Sequence, residues 1–177
     1  MSKALLEVSG LCMRFGGLLA VNNVSLSVHE KQIVSVIGPN GAGKTTVFNC
    51  ISGFYSPTQG TIVFDGEQVQ GLKGHKLARK GMVRTFQHVR LFKEMTVIEN
   101  LLVAQHMHMN TNLISGFLKT PNYRKTEKRA LEHAVFWLNK VNLIEFANRE
   151  AGNLAYGQQR RLEIARCMVT NPRLLML

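Results

Sequence analysis

Acidic residues are scarce in this chain: eleven Asp and Glu stand against twenty-two Lys and Arg, and Asp65 is the only aspartate. The net charge of +11 favours phosphorylated ligands, nucleic acid or an anionic membrane surface as partners, or else a solvated face whose acidic complement is absent. Cysteine is scarce as well. Cys12, Cys50 and Cys167 are odd in number, scattered and without C-x-x-C spacing, which argues against a disulfide framework or a zinc site and leaves reduced packing thiols. No apolar run approaches the roughly 18 residues that cross a bilayer, and the opening MSKALLEVSG lacks the apolar stretch of a signal peptide. These absences predict a chain that stays in the cytoplasm. Internal repeats and low-complexity tracts are missing too. What remains is a mixed sequence of 177 residues, 45% of them hydrophobic, which fits one globular domain with a real core.

The hydrophobic pattern is strand-rich first and helical later. LLEVSGL and LLAVNNVSLSV alternate as half-buried antiparallel strands do, whereas IVSVIG (Ile33 to Gly38) is nearly continuous and predicts a buried parallel strand. A helix is expected from Gly43 to about Ile51. Asp65-Gly66, set between β-prone stretches in GTIVFDGEQV, signals a hairpin, and MVRTFQ reads as another short strand. At Thr96 the period changes: Thr96 followed by Glu99 is a capping-box pattern opening a helix through about Met107. Further helices are expected over roughly Asn122 to Asn139 and Tyr156 to Val169, with a return toward a strand at LLML. The sum is an α/β core carrying a helical insertion.

The strongest chemical signal is GPNGAGKTT, Gly38 to Thr46, which satisfies G-x-x-x-x-G-K-[ST] between a predicted strand and a predicted helix. Gly38, Gly41 and Gly43 let the backbone of Pro39, Asn40 and Ala42 curl so that successive N–H groups face phosphate oxygens. Lys44 brings a mobile positive charge to the β and γ phosphates, the Thr45 hydroxyl suits Mg²⁺, and the helix through Thr46 offers its free N–H groups to the anion. The pattern predicts binding of a nucleoside triphosphate.

RTFQHVRLF, NLAYGQQRRLEIAR, NPRLLML and MRFGGLLAVNNVSLSV, taken with that loop, resemble an ABC-type ATP-binding domain. More narrowly, the chain looks like the ATP-binding subunits of bacterial branched-chain amino acid importers, over its whole length. The resemblance implies a P-loop NTPase core of ABC type with an N-terminal antiparallel β subdomain, an α-helical subdomain, and the C-terminal part of the core missing. It implies three segments: 1–88, the ATP-binding core; 89–155, the helical subdomain; and 156–177, the signature helix and the start of the next strand. It places Phe15 where the family stacks an aromatic ring on adenine. It gives Gln87 the role of the glutamine that reaches Mg²⁺ and the attacking water and senses the membrane partner, making Lys44 and Gln87 the catalytic pair within the chain and Thr45 and Gln87 the metal contacts. Leu154 to Gln158 match the family signature, which closes over the γ-phosphate held by a second subunit. Ala155 replaces the usual Ser and Tyr156 the first Gly, so the capping hydroxyl is gone, while Gly157, Gln158 and the backbone N–H groups are expected to keep a weaker contact.

The resemblance further implies ATP and Mg²⁺ as cofactors, a head-to-tail dimer with a second ABC subunit, transmembrane permease subunits, and indirectly a periplasmic or extracellular binding protein, at the cytoplasmic face of the inner membrane. In that family an Asp-Glu pair follows the apolar strand that LLML matches. The expectation is therefore a chain cut one residue before that Asp, and before a later histidine, that grips ATP but hydrolyses it slowly. Asp65 does not substitute, since Gly66 makes a turn the better reading. His106 and His108, two apart, point to different faces of a helix, and His88 reads as structural. Lys73, Lys76, Arg79, Lys80 and YRKTEKR read as solvated faces, with attraction to an anionic leaflet as the functional alternative. An ABC-type ATPase acting on nucleic acid or ribosomes is the alternative class; no long coiled-coil insertion, zinc spacing or second phosphate loop supports it, and no nucleic-acid partner is expected.

Overall fold

The computed structural model describes residues 3–85, 90–105 and 121–177. The chain divides into two compact units, Met1–Met82 and Val83–Leu177. Gln87, His88, His106 and His108 lie outside the described residues, as does the expected end, near Met107, of the helix that opens at Thr96.

The first unit is built on a four-stranded antiparallel sheet in the order β2-β1-β3-β4. Strands β1 (Leu6–Phe15) and β2 (Leu18–Val28) are the two alternating stretches of the sequence, joined by the Gly16-Gly17 turn. Leu6 and Val8 are buried while Glu7 between them is exposed, the period of a sheet with one covered face. On its other edge β1 pairs with β3 (Gln59–Phe64), setting Val8 opposite Ile62 and Leu6 opposite Phe64. Asp65 and Gly66 have φ of 53° and 82°, the left-handed pair that a tight hairpin needs before β4 (Glu67–Gln68). Asp65 is thus a turn residue, as its neighbour Gly66 suggested. Helix α1 (Lys44–Ile51) buries Val47, Cys50 and Ile51.

Two features of this unit depart from the sequence pattern. Ile33 to Gly38 form no strand, and Ile33 and Ile37 are 95% and 92% exposed. A parallel strand is defined by its ladder partners, and among the described residues none pairs with this stretch; apolar composition predicted burial without identifying what would cover it. The short helix α2 (Gly74–Arg79) was not anticipated. Its single buried residue, Leu77, gives no helical period to detect, and its lysines and arginine masked it as a charge cluster.

The second unit is helical. Helix α3 (Val97–Gln105), helix α4 (Pro121–Lys140) and helix α5 (Tyr156–Met168) pack Val97, Leu101, Ala134, Leu138, Leu143, Leu154, Leu162 and Ala165 into one core. Leu101, Leu138 and Leu162 are fully buried, and each contributes about 1.5–3 kcal/mol relative to an exposed position. After α5, strand β6 (Leu174–Met176) pairs with β5 (Met82–Arg84) in a two-stranded sheet. Cys50 and Cys167 are buried and Cys12 partly so. Burial pushes the Cys167 thiol up to about 11 and raises Cys50 as well, so both pack as neutral thiols at neutral pH.

The capping box at α3 is formed in full. The Thr96 hydroxyl oxygen accepts from the Glu99 N–H at 3.3 Å, and the Glu99 carboxylate accepts from the Thr96 N–H at 2.8 Å. Thr96→Ala is expected to lower stability by about 1 kcal/mol in urea unfolding at neutral pH, and Thr96→Ser to retain most of it. The backbone and hydroxyl hydrogen bonds from Thr96 hold the Glu99 carboxyl below its ordinary value. A group depressed in the folded state stabilises above its unfolded pKa and loses that contribution as pH falls through the lowered value. The gap between wild type and Thr96→Ala should therefore narrow in acid, as urea midpoints across a pH series would record.

Candidate functional site

The loop from Gly38 to Gly43 turns on glycines in the left-handed region: Gly41 at φ 84° and Gly43 at φ 83°. At Gly43 the requirement is doubled, because a Cβ there would come within 2.4 Å of the Ala20 carbonyl oxygen on β2. The loop is thus seated against the β-sheet at the residue where α1 begins. Gly43 is the N-cap of α1 and supplies no side-chain bond to the first-turn N–H groups, and no acidic residue occupies that turn. The orphan N–H donors at the helix start are therefore left for an anion rather than for a side chain of the protein.

Lys44 adds the charge. Its ammonium donates to the carbonyls of Gly38 and Pro39, each at 2.7 Å, which folds the side chain back over the loop. An ammonium carries three donors, so with two on carbonyls one remains for a phosphate oxygen in the same place. Gly38, Pro39, Asn40, Gly41 and Ala42 are exposed, and Ala42 N–H closes the turn on the Pro39 carbonyl at 3.3 Å. Thr45 is exposed in the first turn and Thr46 partly buried behind it. A cation, unpaired backbone donors and an exposed hydroxyl with no competing carboxylate fit a polyphosphate. The Thr45 hydroxyl is the group that suits Mg²⁺, a cation that takes few protein ligands and keeps waters and phosphates for the rest.

Phe15 closes β1 at the tip of the first hairpin, opposite Leu18. It is 41% exposed, consistent with a ring offered to a ligand rather than committed to the core. Its ring meets Tyr55 edge-to-face, with centroids 5.2 Å apart and planes at 79°. The sequence reading did not single out Tyr55; an aromatic four residues past the end of α1 carries no period, and only the return of the chain over β1 brings it there. Thr58 makes that return, its N–H donating to the Cys12 carbonyl at 2.9 Å and its Oγ1 accepting from the Arg14 N–H at 3.0 Å.

In the second unit the stretch Leu154 to Gln158 opens α5. Leu154 is buried and anchors it. Ala155 is the N-cap, at φ −60° and ψ 151°, and only half of a capping box exists: the Gln158 Oε1 accepts from the Ala155 N–H at 2.9 Å, while alanine has no oxygen to return the bond. Tyr156 is accommodated by pointing outward, 66% exposed. Arg160 lies over its ring at 5.4 Å and donates from Nε to its hydroxyl at 3.1 Å. Gly157 has open space where a Cβ would stand, so nothing packed on it in this structure demands glycine. A second residue missed by sequence reasoning is Asn100, fully buried on α3. Its amide donates to the Phe92 and Thr96 carbonyls at 3.0 Å each and accepts from the Phe92 N–H at 3.0 Å, fixing the loop before α3. Leu-rich patterning conceals such a residue, because a polar side chain at a core position looks like noise until its partners are seen.

Residues 21–177 match the family described as ABC transporter. The chain is 72% identical, over all of its 177 residues and 69% of the relative, to the high-affinity branched-chain amino acid transport ATP-binding protein BraF of Pseudomonas aeruginosa. It is 65% identical over the same shares to the high-affinity branched-chain amino acid transport ATP-binding protein LivG of Escherichia coli K12. Among solved structures, MJ1267, an ATP-binding cassette of an ABC transporter, superposes with a TM-score of 0.81 at 34% identity, covering 98% of this chain and 68% of that one. The chain thus spans about 69% of the length of the curated relatives it matches, and its fold is the α/β fold of an ATP-binding cassette. No finding favours the alternative of an ATPase acting on nucleic acid.

Proposed function

Because this chain belongs to the ABC transporter family, we propose that it acts as the ATP-binding subunit of an importer for branched-chain amino acids, an ATPase by family, and that the part played by the residues of this chain is to bind ATP. The observation that carries the reading is the phosphate loop itself: Lys44 folded over Gly38 and Pro39 at the open start of α1. The loop from Gly38 to Thr46 holds the phosphates through those backbone N–H groups that its own turn leaves open, Pro39 having none to give, and Lys44 neutralises developing charge. Thr45 and Gln87 are the residues that would hold Mg²⁺, which supplies neutralisation of the phosphates when bound. Phe15 takes the adenine ring.

Ala155, Tyr156, Gly157 and Gln158 serve the second subunit's nucleotide in a head-to-tail dimer. With no hydroxyl on Ala155, that contact runs through backbone donors at the start of α5 and the outward Tyr156. Segments 1–88, 89–155 and 156–177 divide the work between nucleotide binding, permease contact and dimer closure. No helix among the described residues is long and apolar enough to cross a membrane, so work on the cytoplasmic face is done through permease subunits, with a binding protein delivering the solute from outside.

Titration of the chain with a fluorescent ATP analogue tests the nucleotide reading. Saturable binding displaced by ATP and by inorganic triphosphate, and not by adenosine, is expected. A folded chain that fails to bind the analogue, or one displaced equally by adenosine, would overturn it.

A further inference from the structure

Tyr55 and Phe15 come from distant parts of the chain and meet as a T-shaped pair, 5.2 Å between centroids and 79° between planes. Such pairs are directional: the electropositive edge of one ring seeks the electronegative face of the other. Phe15 sits next to the Gly16-Gly17 turn, where Gly16 is in the left-handed region and has no neighbour within 4 Å of a Cβ position. Its cross-strand partner Leu18 is 67% exposed. Tyr55 is the opposite case. Its N–H and that of Phe54 both donate to the Asn49 carbonyl, at 3.2 and 2.9 Å, so the turn bearing it is clamped to the last turn of α1. Gly53 at φ 74° lies within 2.2 Å, at the Cβ position, of the Leu72 carbonyl, which seats that turn against the following segment.

We infer that Tyr55 is a positioning residue for the nucleobase: it braces the Phe15 ring from a rigid turn so that the ring is set before a planar heterocycle stacks on it. Helix α1 runs from the phosphate loop to this turn, so one eight-residue helix carries the phosphate site at its start and the brace for the base platform just past its end. Both rings keep close to two-fifths of their surface exposed, which leaves area for a base after the pair has formed. The brace acts through ring packing and not through the phenol oxygen, so phenylalanine replaces it. This inference rests on the reading of Phe15 and the phosphate loop as one nucleotide site.

The test compares binding of ATP and of inorganic triphosphate, by displacement of a fluorescent ATP analogue, in wild type and four variants. Tyr55→Leu is expected to weaken ATP by roughly three- to tenfold, the loss of an aromatic pair, and to leave inorganic triphosphate unchanged. Tyr55→Phe should match wild type for both ligands. Loss of ATP and triphosphate affinity together in Tyr55→Leu would make Tyr55 a merely structural residue and overturn the proposal, as would wild-type ATP affinity in Tyr55→Leu. The premise is read separately: Phe15→Ala must weaken ATP and spare triphosphate, and Lys44→Ala must weaken both. Failure of either of those two condemns the nucleotide-site reading itself and the brace with it.

Discussion

Lys44→Ala is expected to weaken ATP binding by about tenfold to a hundredfold, the worth of a charge-assisted hydrogen bond to phosphate. The ammonium is held by two backbone carbonyls of the loop it serves, so it needs no long search for the ligand, and its removal takes away the only cation within the loop. Stability should stay within about 0.5 kcal/mol of wild type, since the side chain is not part of either core. Lys44→Arg should not rescue binding fully: the planar guanidinium is wider than an ammonium and cannot occupy the same position between the Gly38 and Pro39 carbonyls. Equilibrium titration together with thermal melting separates lost contact from lost fold.

Gly43→Ala is expected to be the costliest single methyl in the loop, at roughly 2–4 kcal/mol of stability, combining a left-handed φ with overpacking. The added Cβ would stand 2.4 Å from the Ala20 carbonyl oxygen, a backbone atom near the start of β2 that cannot step aside as a side-chain tip would. The loop must then lift from the sheet, and the start of α1 with it, so ATP affinity should fall in parallel. Gly41→Ala is the control. Its φ of 84° is as left-handed, yet no atom lies within 4 Å of its Cβ position, so only the backbone term of about 1–2 kcal/mol applies. Urea unfolding of the two variants should rank them in that order; equal losses would mean that the contact with Ala20 is not what seats the loop.

The parts of the molecule that were legible in the sequence are those whose signal is local. Glycines at turn positions, the capping pair Thr96 and Glu99, and the two-residue alternation of β1 and β2 each carry their structural reason within a few residues. So does the phosphate loop, whose glycines, lysine and threonine are chemistry and backbone geometry at once. What stayed hidden depends on residues far apart in the chain. Ile33 to Gly38 read as a buried strand from composition, but a parallel strand exists only through its neighbours, and composition does not name them. Tyr55 gained a meaning only when the turn after α1 returned over β1. Asn100 is the reverse of a surface polar residue because three backbone groups of a preceding loop converge on it. Gln87 was picked out on resemblance and lies outside the described residues, so its role rests on the family alone.

If this phosphate loop powers entry of branched-chain amino acids, uptake by living cells must depend on Lys44. The cells' own copy of the gene is replaced by one encoding Lys44→Ala, and entry of radiolabelled leucine at low external concentration is followed beside that of lysine. Leucine uptake is expected to fall to background while lysine uptake is unchanged. Leucine uptake equal to wild type in cells that make the variant protein at normal abundance would contradict it.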